Sequence, residues 1–239
     1  KTRWGSFDAL AEESSQALKS LLEDASKDPG KNELMKRVGD YYASAMDSAA
    51  IEKLGYKPIK PYLDGITALS SKAQVLKQVN YLRSQSITSP LYRIGVGQDA
   101  KDVTKYIISI GQGGTTLPDR DYYLKNDTRS QKIRTDYTAY ITKLFTLTGE
   151  TTVKAMANAV TVMQLETAMA QAQMSRVEMR DPTKLYNKFS VEGLTAKTPN
   201  LNWASILPEL GYKTQQGSVI VSNPKFMVFI DSLLSIVSL

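Results

Sequence analysis

LPDRDYYL, the stretch Leu117–Leu124, marks the point at which the character of this 239-residue sequence changes. The chain before it contains one convincing pair of strands, and the chain after it has mostly helical periodicity. Pro118 fixes its own φ angle and pushes Leu117 towards an extended conformation. Asp119 and Asp121 then occupy what would be the first turn of a helix, where carboxylates interact favourably with the helix dipole. We therefore predict a junction from strand to helix here.

Apolar residues recur at helical spacing through most of the chain. We predict helices over residues 7–26, 33–47, 61–69, 71–83, 129–147, 152–174, 202–210 and 224–236, of which 129–147 and 152–174 are long and 202–210 is short. Shorter helical segments are expected before Gly55, after Pro182, and from a cap at Ser190 to about Leu194. In the helix 33–47 we expect the apolar side chains to be buried, namely Leu34, Val38, Tyr41, Tyr42, Ala45 and Met46.

Two segments with strand character precede the LPDRDYYL stretch. Leu91–Val96 alternates in polarity, and Val103–Ile110 is rich in β-branched and aromatic residues, with turn-like residues between them. This pattern predicts an antiparallel hairpin over about 91–110, which we expect at the surface. Ser218–Ser222 resembles a further short strand. The sequence has no internal repeat and no low-complexity linker, so we predict one mainly α, multi-helix domain over 1–239 with one small β-hairpin.

The composition excludes several kinds of site. The chain carries a net charge of +6, but its Lys and Arg are spread along it, so we do not expect a nucleic-acid interface. It contains no Cys and no His, which excludes disulfides, thiolate or imidazole metal ligands and a His general base within this chain. No apolar run reaches the roughly 18 residues that span a bilayer. The sequence starts at Lys1 and stops inside the apolar run 232–239, so we expect a piece of a longer protein.

Two groups of residues could form a binding or catalytic site, and each has a simpler structural explanation. Gly111–Thr116 is glycine-rich, as a phosphate-binding loop is, but it lacks the Lys of that motif, and this favours a turn. Asp119, Asp121, Glu166 and Asp181 could include a pair of catalytic acids, which requires two carboxyl groups at a set separation across a cleft. Helix caps and ion pairs are the alternative that we favour, since these acids lie at helix boundaries or beside an Arg.

Aromatic and Met side chains could form a ligand surface, although core packing is the simpler interpretation. The residues concerned are Tyr41, Tyr42, Tyr122, Tyr123, Met156, Met163, Met169 and Met174. Arg3 lies next to Trp4 ahead of the first predicted helix. An Arg there could bind a carboxylate through two hydrogen bonds, or could be a solvated terminal residue.

Several short motifs together resemble one known family. They are RWGSF at 3–7, YASAMD at 42–47, LPDRDYY at 117–123, LE at 165–166, RDP at 180–182 and LYNK at 185–188. In this order they resemble the N-terminal part of the mature region of neprilysin-like zinc metallopeptidases, the family of neprilysin and endothelin-converting enzyme. The LPDRDYY motif is the most specific of them, and the set covers nearly the whole chain.

The resemblance implies a two-lobed, mostly helical zinc peptidase that cleaves short peptides. Family members hold zinc through a His-Glu-x-x-His motif and a later Glu, which this chain cannot supply because it has no His. Residues 1–239 would then be the non-catalytic helical lobe, which encloses the cleft and limits substrate size. Zinc and the catalytic residues would belong to the rest of the parent protein, and the partners would be oligopeptides. A free-standing helical binding or scaffold domain, and an unrelated enzyme that works through carboxylates, remain alternatives.

One substrate-binding residue follows from the resemblance. In mammalian members an Arg in the opening motif helps to hold the C-terminal carboxylate of short substrates, and Arg3 stands at that position. Those members have a second Arg eight residues later, where this sequence has Ala11. The structural Cys of the family corresponds to Ala45, which implies a disulfide-free, bacterial type of member. We expect a periplasmic, secreted or lipid-anchored bacterial protein rather than a cytoplasmic one.

Overall fold

A computed structural model describes residues 5–28, 30, 32–87, 90–212 and 217–237. The chain divides into two compact units, Lys1–Pro58 and Ile59–Leu239. Over the described residues it forms twelve α-helices and one four-stranded mixed sheet. The predicted mainly α fold class is therefore confirmed.

The described residues of the unit Lys1–Pro58 form three α-helices, α1 (Ser6–Lys27), α2 (Glu33–Met46) and α3 (Ser48–Leu54). Asn32 caps α2 and Asp47 caps α3, because each side chain accepts hydrogen bonds from backbone N–H groups of the first turn. These caps satisfy donors that a helix N-terminus otherwise leaves without a partner.

The closest approach of α1 and α2 is made by small residues. Gly39 and Ala25 are buried there, and a Cβ atom on Gly39 would lie only 2.2 Å from the Ala25 carbonyl oxygen. Leu34 and Tyr41, by contrast, are 67% and 78% exposed. They lie roughly 140° and 200° around the helix from Gly39 at 100° per residue, so they point away from α1. The predicted burial is therefore wrong for Leu34, Tyr41, Ala45 and Met46, which are exposed, whereas Val38 and Tyr42 are half-buried.

The unit Ile59–Leu239 contains the remaining helices. They are α4 (Lys60–Thr67), α5 (Lys72–Ser84), α6 (Asp121–Leu124), α7 (Thr128–Leu147), α8 (Thr152–Ala172), α9 (Pro182–Leu185), α10 (Val191–Lys197), α11 (Trp203–Glu209) and α12 (Pro224–Ile236). The eight helices whose bounds were predicted from the sequence agree with observed ones to within two residues at each end. Ser190 caps α10 as predicted, since its Oγ accepts a hydrogen bond from the Gly193 N–H. Among the described residues, none of the helices combines the length and the apolar character needed to cross a membrane.

The sheet has the strand order β1-β2-β4-β3. Its strands are β1 (Tyr92–Asp99), β2 (Asp102–Gln112), β3 (Asn187–Ser190) and β4 (Ser218–Val221). The predicted hairpin is β1 and β2, and β4 matches the further strand predicted at 218–222. β4 pairs parallel with β2 and antiparallel with β3. β3 was not predicted, because four residues are too few to display a period and only pairing with β4 defines the strand.

One face of this sheet forms the core of its unit. Tyr92 of β1 is buried and packs edge-on against the Trp203 ring, with 5.1 Å between the ring centroids. Trp203 is itself buried, and its indole N–H donates a hydrogen bond of 2.8 Å to the Thr198 hydroxyl. The other buried core residues include Ile108, Ile110, Leu207, Val219, Val221, Phe226, Met227 and Ile230. The expected surface position is therefore wrong for the end of the hairpin that contains Tyr92, Ile108 and Ile110, whose side chains point into this core. It holds for the other end, where Val96, Val103 and Tyr106 are exposed.

Candidate functional site

The substrate-binding residue expected from the sequence, Arg3, lies outside the described residues. Ala11, which occupies the position of the second Arg of the family pattern, is exposed on α1. The site that the structure does describe is built around the LPDRDYY segment, which connects β2 to α6 as predicted.

The LPDRDYY segment is closed by its own hydrogen bonds. The Leu117 N–H donates to the Tyr123 hydroxyl oxygen at 2.8 Å, and the Asp121 N–H donates to the Asp119 carboxylate at 2.9 Å. Asp119 also forms an ion pair with Arg176, with 2.5 Å between Oδ2 and Nε. The Arg120 guanidinium donates to the backbone carbonyl of Gln173, just after α8 ends. These bonds fix the segment on itself and against the end of α8.

A buried carboxylate binds this segment through hydrogen bonds. Glu166 of α8 is only 6% exposed, and it accepts hydrogen bonds from three hydroxyl groups. The donors are Tyr123 at 2.5 Å, Thr116 at 2.8 Å and Tyr137 of α7 at 3.1 Å. A buried charge is costly without such compensation, and here it comes from hydroxyls. Glu166 therefore connects α7, α8 and the LPDRDYY segment.

The electrostatics of this cluster keep the tyrosines protonated. Burial, reinforced by the hydrogen bond to Glu166, raises the pKa of Tyr123 well above its ordinary value. Burial also raises the pKa of Tyr137 to about 12, and the nearby Glu166 charge acts in the same direction. Both hydroxyls therefore remain hydrogen-bond donors at neutral pH. The arrangement is suited to positioning the segment, since neither tyrosine can readily release a proton to a substrate.

The amide side chains of Gln112 and Gln173 form hydrogen bonds that hold the glycine-rich loop in front of the LPDRDYY segment. Gln112 exchanges two hydrogen bonds with the backbone of Met174, at 3.0 and 2.7 Å, and also accepts one from Asn223. Gln173 donates to the Gly113 carbonyl oxygen at 3.0 Å. Gly114 has a positive φ of 77°, and a Cβ there would lie 2.8 Å from the Leu91 nitrogen. The glycines thus allow a tight turn beside the start of β1, as the turn interpretation predicts.

Each candidate acid has a structural partner. Asp119 pairs with Arg176, Asp121 pairs with Lys125, and Asp181 caps α9. These partners agree with the interpretation as caps and ion pairs. Glu166 differs, because it lies inside a helix and bonds to hydroxyls rather than to a cation. Within the described ranges, no three His, Cys, Asp or Glu side chains are grouped so that they could hold a metal ion.

The aromatic and Met candidates are divided between core and surface. Tyr123 and Met169 are buried, in agreement with the interpretation as core residues. Met156 is 56% exposed and Tyr41 is also exposed, so for these two residues that interpretation is wrong. The central role of Glu166 was missed. A signal was present in the sequence, since Glu166 follows Met163 by three residues and precedes Ala170 by four, which places a charge on an apolar helical face.

Comparison with known proteins identifies the family. The model of Peptidase family M13 matches residues 1–239, the whole chain. The chain therefore belongs to this peptidase family. This agrees with the resemblance to neprilysin-like metallopeptidases that the sequence motifs indicated.

The relatives are much longer than this chain, and a solved structure among them shares its fold. The chain is 28% identical over 247 residues to an endothelin-converting enzyme homolog of Locusta migratoria, covering 98% of this chain and 34% of that protein. It is 27% identical over 243 residues to endothelin-converting enzyme 1 of Homo sapiens, covering 98% and 31%. A solved structure of the zinc metalloprotease Zmp1 of Mycobacterium tuberculosis with an inhibitor superposes with a TM-score of 0.86 at 26% identity, covering 98% and 36%. The chain thus spans about a third of the length of these proteins.

Proposed function

We propose that this chain is the substrate-gating lobe of a zinc-dependent endopeptidase, and that it encloses the cleft in which oligopeptides are cleaved. The observation that carries the proposal is the family match over residues 1–239. About two thirds of the length of the curated relatives lies outside the matched part, which leaves room for a separate catalytic lobe. Their names, together with that of Zmp1, support peptide hydrolysis and zinc as the chemistry of the parent protein.

The residues of this chain do not suit the catalytic part of that chemistry. The sequence contains no His and no Cys, and the acids around the LPDRDYY segment are already engaged with hydroxyls, cations or helix ends. The zinc ligands and the general base would therefore be residues of the parent protein outside this chain. In this proposal the chain contributes a rigid surface to the cleft. Glu166 and its three hydroxyl donors hold the segment between β2 and α6 in one conformation.

Activity assays can separate this proposal from its rivals. We expect the complete parent protein to hydrolyse a fluorogenic oligopeptide and to lose that activity with a chelator. The 239-residue chain alone should be inactive, and calorimetry should detect no stoichiometric zinc binding to it. Peptide hydrolysis by the chain alone with chelator present would overturn the proposal in favour of a carboxylate enzyme. An inactive parent protein would favour a scaffold domain.

The gating role has its own test in the complete protein. If this lobe encloses the cleft, kcat/KM should fall by more than about tenfold, at least ~1.4 kcal/mol of transition-state stabilisation, when the cleavage site is moved from a short peptide into a folded protein. Urea-unfolded forms of the same substrate protein serve as the control for sequence. Equal cleavage of the folded protein and the short peptide would contradict gating.

We further propose that Arg3 contacts the C-terminal carboxylate of short substrates. In the complete protein, Arg3→Ala should reduce kcat/KM more for peptides with a free C-terminus than for the matched amides. Ala11→Arg, which restores the second Arg of the family pattern on an exposed position of α1, should act in the opposite direction. An equal loss on acids and amides for Arg3→Ala would remove the carboxylate role.

The expected location also remains a proposal, namely a periplasmic, secreted or lipid-anchored position in a bacterium. Its support is the resemblance at Ala45 and the similarity to a mycobacterial protease. Fractionation of the source cells, followed by detection of the parent protein with an antibody, tests it directly. Recovery in the cytoplasmic fraction alone would contradict it.

A further inference from the structure

Three arginine side chains from separate segments line one cavity of about 270 Å³ in the unit Ile59–Leu239. Arg93 lies on β1, Arg120 immediately precedes α6, and Arg176 follows the end of α8. The other walls are the loop 112–119 together with Gln173, Met174 and Met179. Arg120 and Arg176 also fix the LPDRDYY segment as described above, whereas neither the strand pairing nor the Glu166 cluster uses the Arg93 side chain.

The charge around this cavity is positive. Asp119 is the one carboxylate among its lining residues, and it pairs with Arg176. Glu178 lies nearby, and hydrogen bonds from Ser175, followed by the positive charge of Arg120, lower the pKa of its carboxyl group. Since Arg is always protonated in proteins, three positive charges face two negative ones.

Most of the guanidinium donors are still available. Each Arg carries five N–H donors. Arg120 uses Nη1 for the Gln173 carbonyl, and Arg176 uses Nε for Asp119 and Nη2 for the Pro118 carbonyl at 3.4 Å. In the described part of the chain, the Arg93 side chain has no hydrogen-bond or ion-pair partner. Arg120 and Arg176 are thus held in place by the protein, while Arg93, which also lines the cavity, keeps all five N–H donors without a partner among the described residues.

We propose that this cavity binds an oxyanion group, the carboxylate or phosphate of a small ligand, with Arg93 as its principal contact. The planar guanidinium fork matches the geometry of both groups and forms two parallel hydrogen bonds to either. Arg120 and Arg176 also line the cavity and add positive charge without losing the contacts that orient them. The cavity is below the usual range of about 300–1,000 Å³ for sites that hold drug-sized ligands, so it accepts one small anion or the end of a longer molecule. The proposal does not depend on the peptidase role.

The test is a titration of the full chain followed by NMR of the arginine Nε–Hε groups. The probes are inorganic phosphate, an N-acetylated tripeptide acid and the matched tripeptide amide, in about 0.15 M NaCl so that long-range attraction is screened. We expect saturable shifts of the Arg93, Arg120 and Arg176 signals with at least one of the two anions and none with the amide. A response to phosphate alone assigns a phosphate ligand, and a response to the tripeptide acid alone assigns a carboxylate.

Variants separate a built site from general charge attraction. Arg93→Gln should weaken the affinity at least about tenfold, which corresponds to ~1.4 kcal/mol. Arg93→Lys keeps the charge without the fork and should weaken it less. Arg37→Gln removes the same charge from an exposed position of α2 and serves as the matched control, with unchanged affinity expected. The absence of a saturable shift with either anion, or equal weakening by Arg93→Gln and Arg37→Gln, would overturn the proposal.

Discussion

In the unit Lys1–Pro58 the closest helix contact is made by a glycine, whereas in Ile59–Leu239 the contacts of the core are made by large side chains. α1 and α2 approach each other at Ala25 and Gly39, and large apolar residues such as Tyr41 remain exposed. Under the sheet, Trp203 and Tyr92 are both fully buried. The first packing depends on the absence of a side chain and the second on its presence, so substitutions of opposite kinds should disrupt them.

The two units look alike at the level of sequence pattern. Both display apolar residues at helical spacing, and that spacing correctly predicts helices in both. Periodicity indicates that a helix has an apolar face, but it does not identify what that face contacts. Which apolar side chains are buried in each unit is therefore known from the structure and not from the periodicity of the sequence.

The largest effect on stability is expected from a cavity in the core of the unit Ile59–Leu239. Trp203→Ala should lower the free energy of unfolding by about 3–5 kcal/mol, because it leaves a large cavity and removes the donor to the Thr198 hydroxyl. The matched control in the first unit is Tyr41→Ala, which also removes an aromatic ring but from an exposed position, and should change stability by less than about 0.5 kcal/mol. Urea denaturation followed by far-UV circular dichroism measures both. Similar losses for the two variants would break the comparison.

A smaller effect is expected from removing the buried carboxylate. Glu166→Ala should cost about 3 kcal/mol, because three hydroxyl groups lose their acceptor in a site shielded from water. Glu166→Gln should cost less, since its amide oxygen still accepts hydrogen bonds. Gln164→Ala, an exposed substitution on the same helix, is the control for helix propensity. If Glu166→Ala were as mild as Gln164→Ala, the cluster would not be what fixes the LPDRDYY segment.

The first unit should respond to the opposite kind of substitution. Gly39→Ala adds one methyl group 2.2 Å from the Ala25 carbonyl oxygen, so the helices must separate. We expect a net loss of up to about 2 kcal/mol, an overpacking cost of roughly 1–3 kcal/mol reduced by about 1 kcal/mol because Ala has the better helix propensity. Hydrogen exchange of the α1 and α2 amide groups reports this locally.

The control for this substitution is Gly65→Ala in α4. A Cβ there would meet the flexible end of the Gln78 side chain at 3.1 Å, rather than backbone. That side chain can move, so Gly65→Ala should be neutral or slightly stabilising. Equal protection of the α1 and α2 amides in Gly39→Ala and in the unchanged protein would show that the two helices can separate without cost.

Much of the fold could be predicted from the sequence, and the reason differs between elements. The long helices and the β1–β2 hairpin were predictable because their patterns extend over many residues, and the junction at Leu117 was predictable because Pro118 acts locally. β3 was not predictable, since its four residues acquire their structure from pairing with β4. The order of the sheet likewise depends on contacts between segments more than a hundred residues apart.

The candidate site was predictable as a location but not as an arrangement. The specificity of the LPDRDYY motif indicated the right segment, and the glycine-rich stretch Gly111–Thr116 indicated the turn at Gly114. Nothing in the spacing of Thr116, Tyr137 and Glu166 indicates that their polar groups meet, because each lies on a different element. Sequence motifs thus identified the family, while hydrogen-bond partners required the structure.

The smallest effect concerns a single hydroxyl group and appears in the pH dependence. Burial raises the pKa of Tyr137 from 10.0 to about 12, so between these values the folded chain retains a proton that the unfolded chain has lost. Stability should therefore fall as the pH rises through this window, since the unfolded state binds fewer protons there. Burial raises the pKa of Tyr123 and Tyr92 as well, which acts in the same direction.

Tyr137→Phe should make this alkaline decline shallower while costing about 1 kcal/mol at neutral pH, the usual worth of one hydrogen bond. Urea midpoints near pH 8 and near pH 11, on either side of the ordinary tyrosine pKa, measure the decline. Tyr41→Phe removes an exposed hydroxyl from the first unit and should leave the decline unchanged. An identical decline in Tyr137→Phe and the unchanged protein would mean that the Tyr137 proton does not contribute to folding. The contrast between the units would then depend on apolar packing alone, because the hydroxyl groups around Glu166 would be no more sensitive to pH than the exposed Tyr41 hydroxyl of α2.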